Sequence, residues 1–254
     1  MRTITFRDKQ LQIPESVDEL SSEMYAVWLS LVLLRQKGVI TLAEMRTYWL
    51  SRLLGLPLPY RQYVSSISSE AESHVACLEP FFSGHEPVVA SCRNLLPRYK
   101  GWTSVAGDML DGLRFGPFID SLAAIKLITL AQHDGDEAEV SRHMRAVALA
   151  LYTPPSPDAQ PPSLLVSHAV LFFSTVWQHI TEQPVCVNGE EIPFTILFSG
   201  ASSAADDHTG WQGIAFEVAS QGVFGPMPSL REAPFWDVLL YLYKCRFETL
   251  HSHP

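Results

Sequence analysis

The chain has 254 residues, 47% of them hydrophobic and 18% charged, which excludes a disordered polypeptide and allows a sizeable buried core. Its length permits one large domain or two smaller ones. A net charge of −9 and a pI near 5.4 argue against a nucleic-acid partner held through phosphates, which needs a basic face; the richest basic group, Arg93, Arg98 and Lys100, is thin and reads as a solvated loop.

In chain order, residues 3–6 and 11–13 alternate like two short strands, with 7–10 as the turn. A lone hairpin is marginal in water, so it must lie on helices or pair further. Pro14 ends it. Ser16 and Glu19 stand at the spacing of a capping box, with Ser21 or Ser22 as the alternative cap, and a helix is expected to run to about residue 36 before Gly38. Leu20, Met24, Val27, Trp28, Leu31 and Leu34 are expected to face inward. Thr41 and Glu44 form a second capping box, opening a helix whose apolar face carries Leu42, Met45, Trp49, Leu50 and Leu53. Residues 60–78 read as a further helix, weakened by serines. Residues 86–115 are broken by Pro87, Pro97, Gly101, Gly107, Gly112 and Gly116, and are the expected place for a mobile loop.

A clear helix is expected over 117–131, then a turn at 133–136, then a helix from Glu137 to about Tyr152 capped by Asp136. Half of the stretch TPPSPDAQPP at 153–162 is proline, so it should be extended and stiff. Residues 163–182 resume as a helix, and 185–198 read as a second hairpin turning at Asn188-Gly189, with Pro193 confining it to an edge. A small-residue loop over 199–209 leads to a helix at 210–221, stopped by Gly222. Gly225, Pro226 and Pro228 then break the chain, and Pro234 suits the first turn of the last helix.

That last helix carries two apolar stripes, one of Phe235, Val238, Leu239, Leu242 and Cys245 and one of Trp236, Leu240, Tyr243 and Phe247, leaving only Asp237, Tyr241, Lys244 and Glu248 polar. A surface helix shows a single apolar face. This one is therefore either sandwiched within its own domain or lends a face to a partner.

The four cysteines, Cys77, Cys92, Cys186 and Cys245, form no C-x-x-C pair and read as reduced thiols of a cytoplasmic protein, with Cys245 in the core. The start, MRTITFRDKQ, lacks the apolar region of a signal peptide. The longest apolar run, 27–34, is far short of the roughly 20 residues of a membrane span, so a soluble, intracellular protein is expected. His133, Asp134, Asp136 and His143 are the densest set of potential metal ligands, but Asp136 already has a role as a helix cap and an EF-hand count from Asp134 reaches Arg145 at its twelfth position. Asp206, Asp207 and His208 have no G-x-S-x-G elbow to serve, and neither a phosphate-binding loop nor a dinucleotide fingerprint is present. No catalytic, cofactor or metal residues are assigned; a cytoplasmic hydrolase or metal-dependent enzyme using His133, Asp134 and residues 206–208 is the alternative.

Five segments together resemble phage and prophage tail assembly chaperones or tail-associated proteins: ITFRDKQLQIPESVDELSSEMY, GVITLAEMRTYWLSRLLGL, HDGDEAEVSRHMRAVALALYTPP, HAVLFFSTVWQHI and GWQGIAFEVASQGVFGPMPSLREAPFWDVLLYLYKCRFE. They span most of the chain and stand in the same order. The resemblance implies a non-enzymatic phage morphogenesis role in the bacterial host cell, holding a tape-measure or other tail protein soluble before assembly; a structural virion component is the nearest variant. An acidic, aromatic-rich helical protein suits this, since it can cover an apolar helix while its charge keeps the complex in solution. The expected architecture is mainly α, a helical bundle with two short β-hairpins. The expected regions are 1–153, with the first hairpin, and 163–254, with the second, joined by a Pro-rich linker or loop at 154–162; one compact domain is the alternative. The expected partner-contact residues are Trp211, Phe224, Trp236, Leu240 and Tyr243.

Overall fold

A computed structural model describes residues 1–56, 73–187, 189–198 and 210–251. The fold is mainly α, with 60% of the described residues helical and small antiparallel sheets, as the patterning implies. The chain divides into two compact units, Met1–Ser91 and Cys92–Pro254. The Pro-rich stretch therefore lies inside the second unit and not at a boundary. There Ala159 packs on the core, and Pro155 sits so close over Gly101 that a Cβ on the glycine would come within 3.2 Å of the proline.

In the first unit β1 (Arg2–Phe6) and β2 (Lys9–Ile13) pair antiparallel, with Ile4 opposite Leu11. The turn is only Arg7 and Asp8, both at positive φ (48° and 60°), the mirror-image turn whose twist matches the strands. Helix α1 (Ser22–Gln36) is capped by Ser21, which accepts from the Met24 amide; Ser16 makes no cap bond. Glu19 accepts instead from the Glu15 amide at 2.7 Å and from the N-terminal ammonium. The inward face is Tyr25, Trp28, Leu29 and Val32, rotated from the expected one. The helix is apolar nearly all round, so periodicity alone did not select the buried side.

Helix α2 (Leu42–Leu53) realises its capping box: Thr41 Oγ1 accepts from the Glu44 amide, and the Glu44 carboxylate accepts from the Thr41 amide. Thr41→Ala is expected to lower the stability of this unit by about 1 kcal/mol in urea denaturation; an unchanged midpoint would show that Glu44 alone suffices. The core is an aromatic cluster in which Trp28 lies 4.9 Å from Trp49, 5.6 Å from Phe81 and 5.3 Å from Phe82. Two-residue strands β3 (Phe82–Ser83) and β4 (Glu86–Pro87) close the unit, and the Trp28 indole donates to the Val88 carbonyl at 2.9 Å. The helix expected over 60–78 falls largely outside the described residues; its end is a 3-10 turn, Val75–Phe81.

The second unit overturns the expected mobile loop. Residues 92–114 lie as a hydrogen-bonded segment on the helices, anchored by Leu95, Leu96, Trp102, Leu110 and Leu113 in the core. Strands β5 (Arg98–Tyr99) and β6 (Trp102–Ser104) join β7 (Tyr152–Thr153) in a three-stranded sheet. Helices α3 (Phe115–Asp134) and α4 (Glu137–Leu151) form a hairpin across Gly135, which adopts φ 71° to stop α3. Asp136 caps α4, accepting from the Glu139 amide. Helix α5 (Ser163–Glu182) is long and apolar enough to cross a membrane, yet half of its apolar window is buried in the unit, as befits a core helix.

Strands β8 (Val185–Val187) and β9 (Glu190–Ile192) form the second hairpin, whose residue Asn188 is outside the described residues. It is shorter than expected, because Pro193 opens a 3-10 turn at Phe194–Leu197. Then follow α6 (Gly210–Gln221), α7 (Met227–Glu232) and α8 (Phe235–His251). Gly116 lets α3 approach α7 closely; a Cβ there would meet the Arg231 carbonyl at 3.0 Å. The Phe235 amide donates to Leu113 O and the Phe115 amide to Ala233 O, both at 2.9 Å, which ties the start of α8 to the start of α3.

Candidate protein-docking surface

The two stripes of α8 have different fates. Phe235, Val238 and Leu239 are buried, and Phe235 stacks on Phe118 of α3 at 4.1 Å. The second stripe is half-buried under the turn that follows β9: Phe194 lies 5.9 Å from Trp236 and 5.7 Å from Tyr243. The first half of the helix is thus sandwiched within its own unit. The second half emerges, with Phe247 44% and Leu250 49% exposed.

The five expected contact residues are all partly buried against the core, and they do not form one face. Trp211 sets its ring edge-on to Phe118 and Trp177. Phe224 packs edge-on to Tyr241. Trp236 and Leu240 do share a surface. They line an open groove of about 460 Å³, whose apolar floor they form with Leu113 and Val185. Met109, Asp111, Cys186 and Asp237 stand among its walls. Met109 and Leu110 adopt φ 54° and 60°, a conformation that costs side-chain-bearing residues roughly 1–2 kcal/mol each. Leu110 burial and the Met109 amide bond to Cys92 O at 2.8 Å hold them there.

Trp211 lines a second open groove, about 540 Å³, with Ile119, Leu122, Leu127 and Leu130 of α3. Leu127 is 43% and Leu130 52% exposed, an apolar ridge that residue spacing on α3 alone did not separate from core.

His133, Asp134, Asp136 and His143 line neither groove. His133 and Asp134 are exposed at the end of α3, 3.3 Å from each other, and Asp136 serves as the α4 cap. His143 faces Glu139 at 3.2 Å on α4. No group of three metal-ligating side chains occurs among the described residues, and 206–208 lie outside them. Cys245, expected in the core, is half-buried; Cys186 is exposed.

A buried concentration of polar side chains that patterning missed is centred on Asn94. Its Nδ2 donates to Ala106 O at 2.7 Å and to Ser104 Oγ at 2.8 Å, so its Oδ1 is the acceptor for Tyr152 OH at 3.3 Å and His168 Nε2 at 3.2 Å. His168 is 1% exposed, and burial pushes its pKa down from 6.5 to about 4. The neutral His168 imidazole, closed to solvent beside Asn94, Tyr152 and Phe172, holds the 92–114 wrap on α5.

Compared with protein-family models, with curated proteins and with solved structures, the chain matches none.

Proposed function

We propose that this chain is a non-enzymatic protein-binding protein whose docking surface is the groove along α8. In this reading it acts in the bacterial host cytoplasm as a phage-type tail assembly chaperone or tail-associated factor. One observation carries the docking reading. Trp236 and Leu240, on a stripe that an ordinary surface helix would not have, stay partly exposed and line an open groove with Leu113 and Val185. The ordered segment resemblance supports the tail-assembly role, and the net charge of −9 suits a chaperone that keeps an apolar client in solution.

Leu240 is the sharper probe, because Trp236 also braces Phe194 and Phe235. Co-expression should keep a tail tape-measure protein from the same genome soluble. Leu240→Ala is expected to weaken client binding about tenfold, equivalent to about 1.4 kcal/mol, and so to lower the client's soluble yield, while the chaperone's own melting temperature moves by only a few degrees. Trp236→Ala should act in the same direction. A client equally soluble with either variant, or a binding loss matched by the loss of fold, would return both residues to a purely internal role.

A further inference from the structure

Resting on that docking reading, we propose that the groove accepts an extended segment of the partner, with Lys or Arg alternating with apolar residues, added as a third strand on the open edge of β8. The two-residue turn makes Val187–Glu190 and Val185–Ile192 the hydrogen-bonded pairs of the hairpin. The Cys186 N–H and C=O therefore point away from β9. Among the described residues β8 has no second strand neighbour. All three residues of β8 line the groove and none of β9 does, so the open edge is a wall of the groove.

The charge of the walls selects the occupant. Asp111 and Asp237 are exposed in the lining, which contains no basic side chain, and neither carboxylate has an ion pair among the described residues. A strand laid along β8 presents alternate side chains to opposite faces. One set would meet the floor at Leu113, Trp236 and Leu240, while the flanking basic residues reach the carboxylates. A second copy of this chain is disfavoured by the same charges. A two-fold interface sets a patch against itself, which would bring the carboxylates of two acidic chains together. The edge offers one N–H and one C=O, so side-chain contacts and charge must carry most of the affinity. Binding should weaken with salt.

The test is titration of the ¹⁵N-labelled full chain with an acetylated, amidated peptide of sequence KVKVK, beside EVEVE and a backbone N-methylated KVKVK. KVKVK is expected to shift the Cys186 amide and the Trp236 indole signals. Its affinity should fall about tenfold in the D111N/D237N double variant, whose changes are at exposed positions. Equal binding of EVEVE, equal binding of the N-methylated peptide, shifts outside the groove, or reversible self-association trapped by a Cys186–Cys186 crosslink would each overturn the proposal. If KVKVK fails while Leu240→Ala still lowers client solubility, the extended-strand mode falls and the docking reading stands. If both fail, both fall.

Discussion

Phe118→Ala is expected to destabilise the second unit by about 3–5 kcal/mol, the usual cost of deleting a fully buried aromatic ring. Phe118 is 0% exposed and sits where four helices meet. Its ring stacks on Phe235 of α8 at 4.1 Å, meets Trp177 of α5 at 5.4 Å and stands edge-on to Trp211 of α6 at 5.5 Å. It also lies 5.8 Å from Phe173. Such pairs contribute about 0.5–1.5 kcal/mol each beyond the area they bury, and a cavity lined by this many rigid rings cannot collapse to fill itself. The effect should appear as a lower urea midpoint for the second unit, with altered Trp177 and Trp211 fluorescence. Phe118→Leu should cost less, because it keeps most of the volume. A loss below about 1 kcal/mol for the alanine variant would mean that the rings repack without it, contrary to the expectation for a close-packed interior.

The second large effect is acid sensitivity through His168. Folding holds the imidazole neutral and lowers its pKa from 6.5 to about 4, with burial as the cause. Below pH 6.5 the unfolded chain takes up a proton that the folded chain resists. Stability from this group is therefore full above about pH 6.5, declines as the pH falls, and is wholly lost by about pH 4. The difference corresponds to roughly 3 kcal/mol. His168→Gln keeps a donor that can reach Asn94 Oδ1 and removes the titration. Stability measured by urea denaturation between pH 7 and pH 4 should fall less steeply in this variant than in the wild type. Parallel slopes would show that the imidazole gains water or protonates within the fold.

Several local features were legible from residue chemistry alone. The Thr41–Glu44 box, the Asp136 cap, the stop at Gly222 and the extents of α5 and α6 depend on interactions within a few residues, and those are written in the order of the chain. The second hairpin was legible up to Pro193, which lacks the N–H that a longer strand would need. The errors share a cause. Ser16 and Glu19 have the right spacing for a box, but the N-terminal ammonium and the Glu15 amide bind the Glu19 carboxylate instead. The 92–114 wrap looked like a mobile loop because its order comes from partners far along the chain, Tyr152 and His168, which no local pattern records.

The candidate site divides in the same way. Its raw material, two apolar stripes on one terminal helix, can be read directly from residues 235–247, because side chains three and four apart share a face of a helix. Which stripe is covered could not be read. Burial depends on what packs against each face, and only the folded unit brings Phe118 over Phe235, Phe194 over Trp236, and β8 beside Leu240. Patterning along the chain therefore determined a mainly α protein with its caps, stops and an apolar surplus at the C-terminal end. Long-range packing decided where that surplus stays open, because exposure is a property of neighbours and not of spacing.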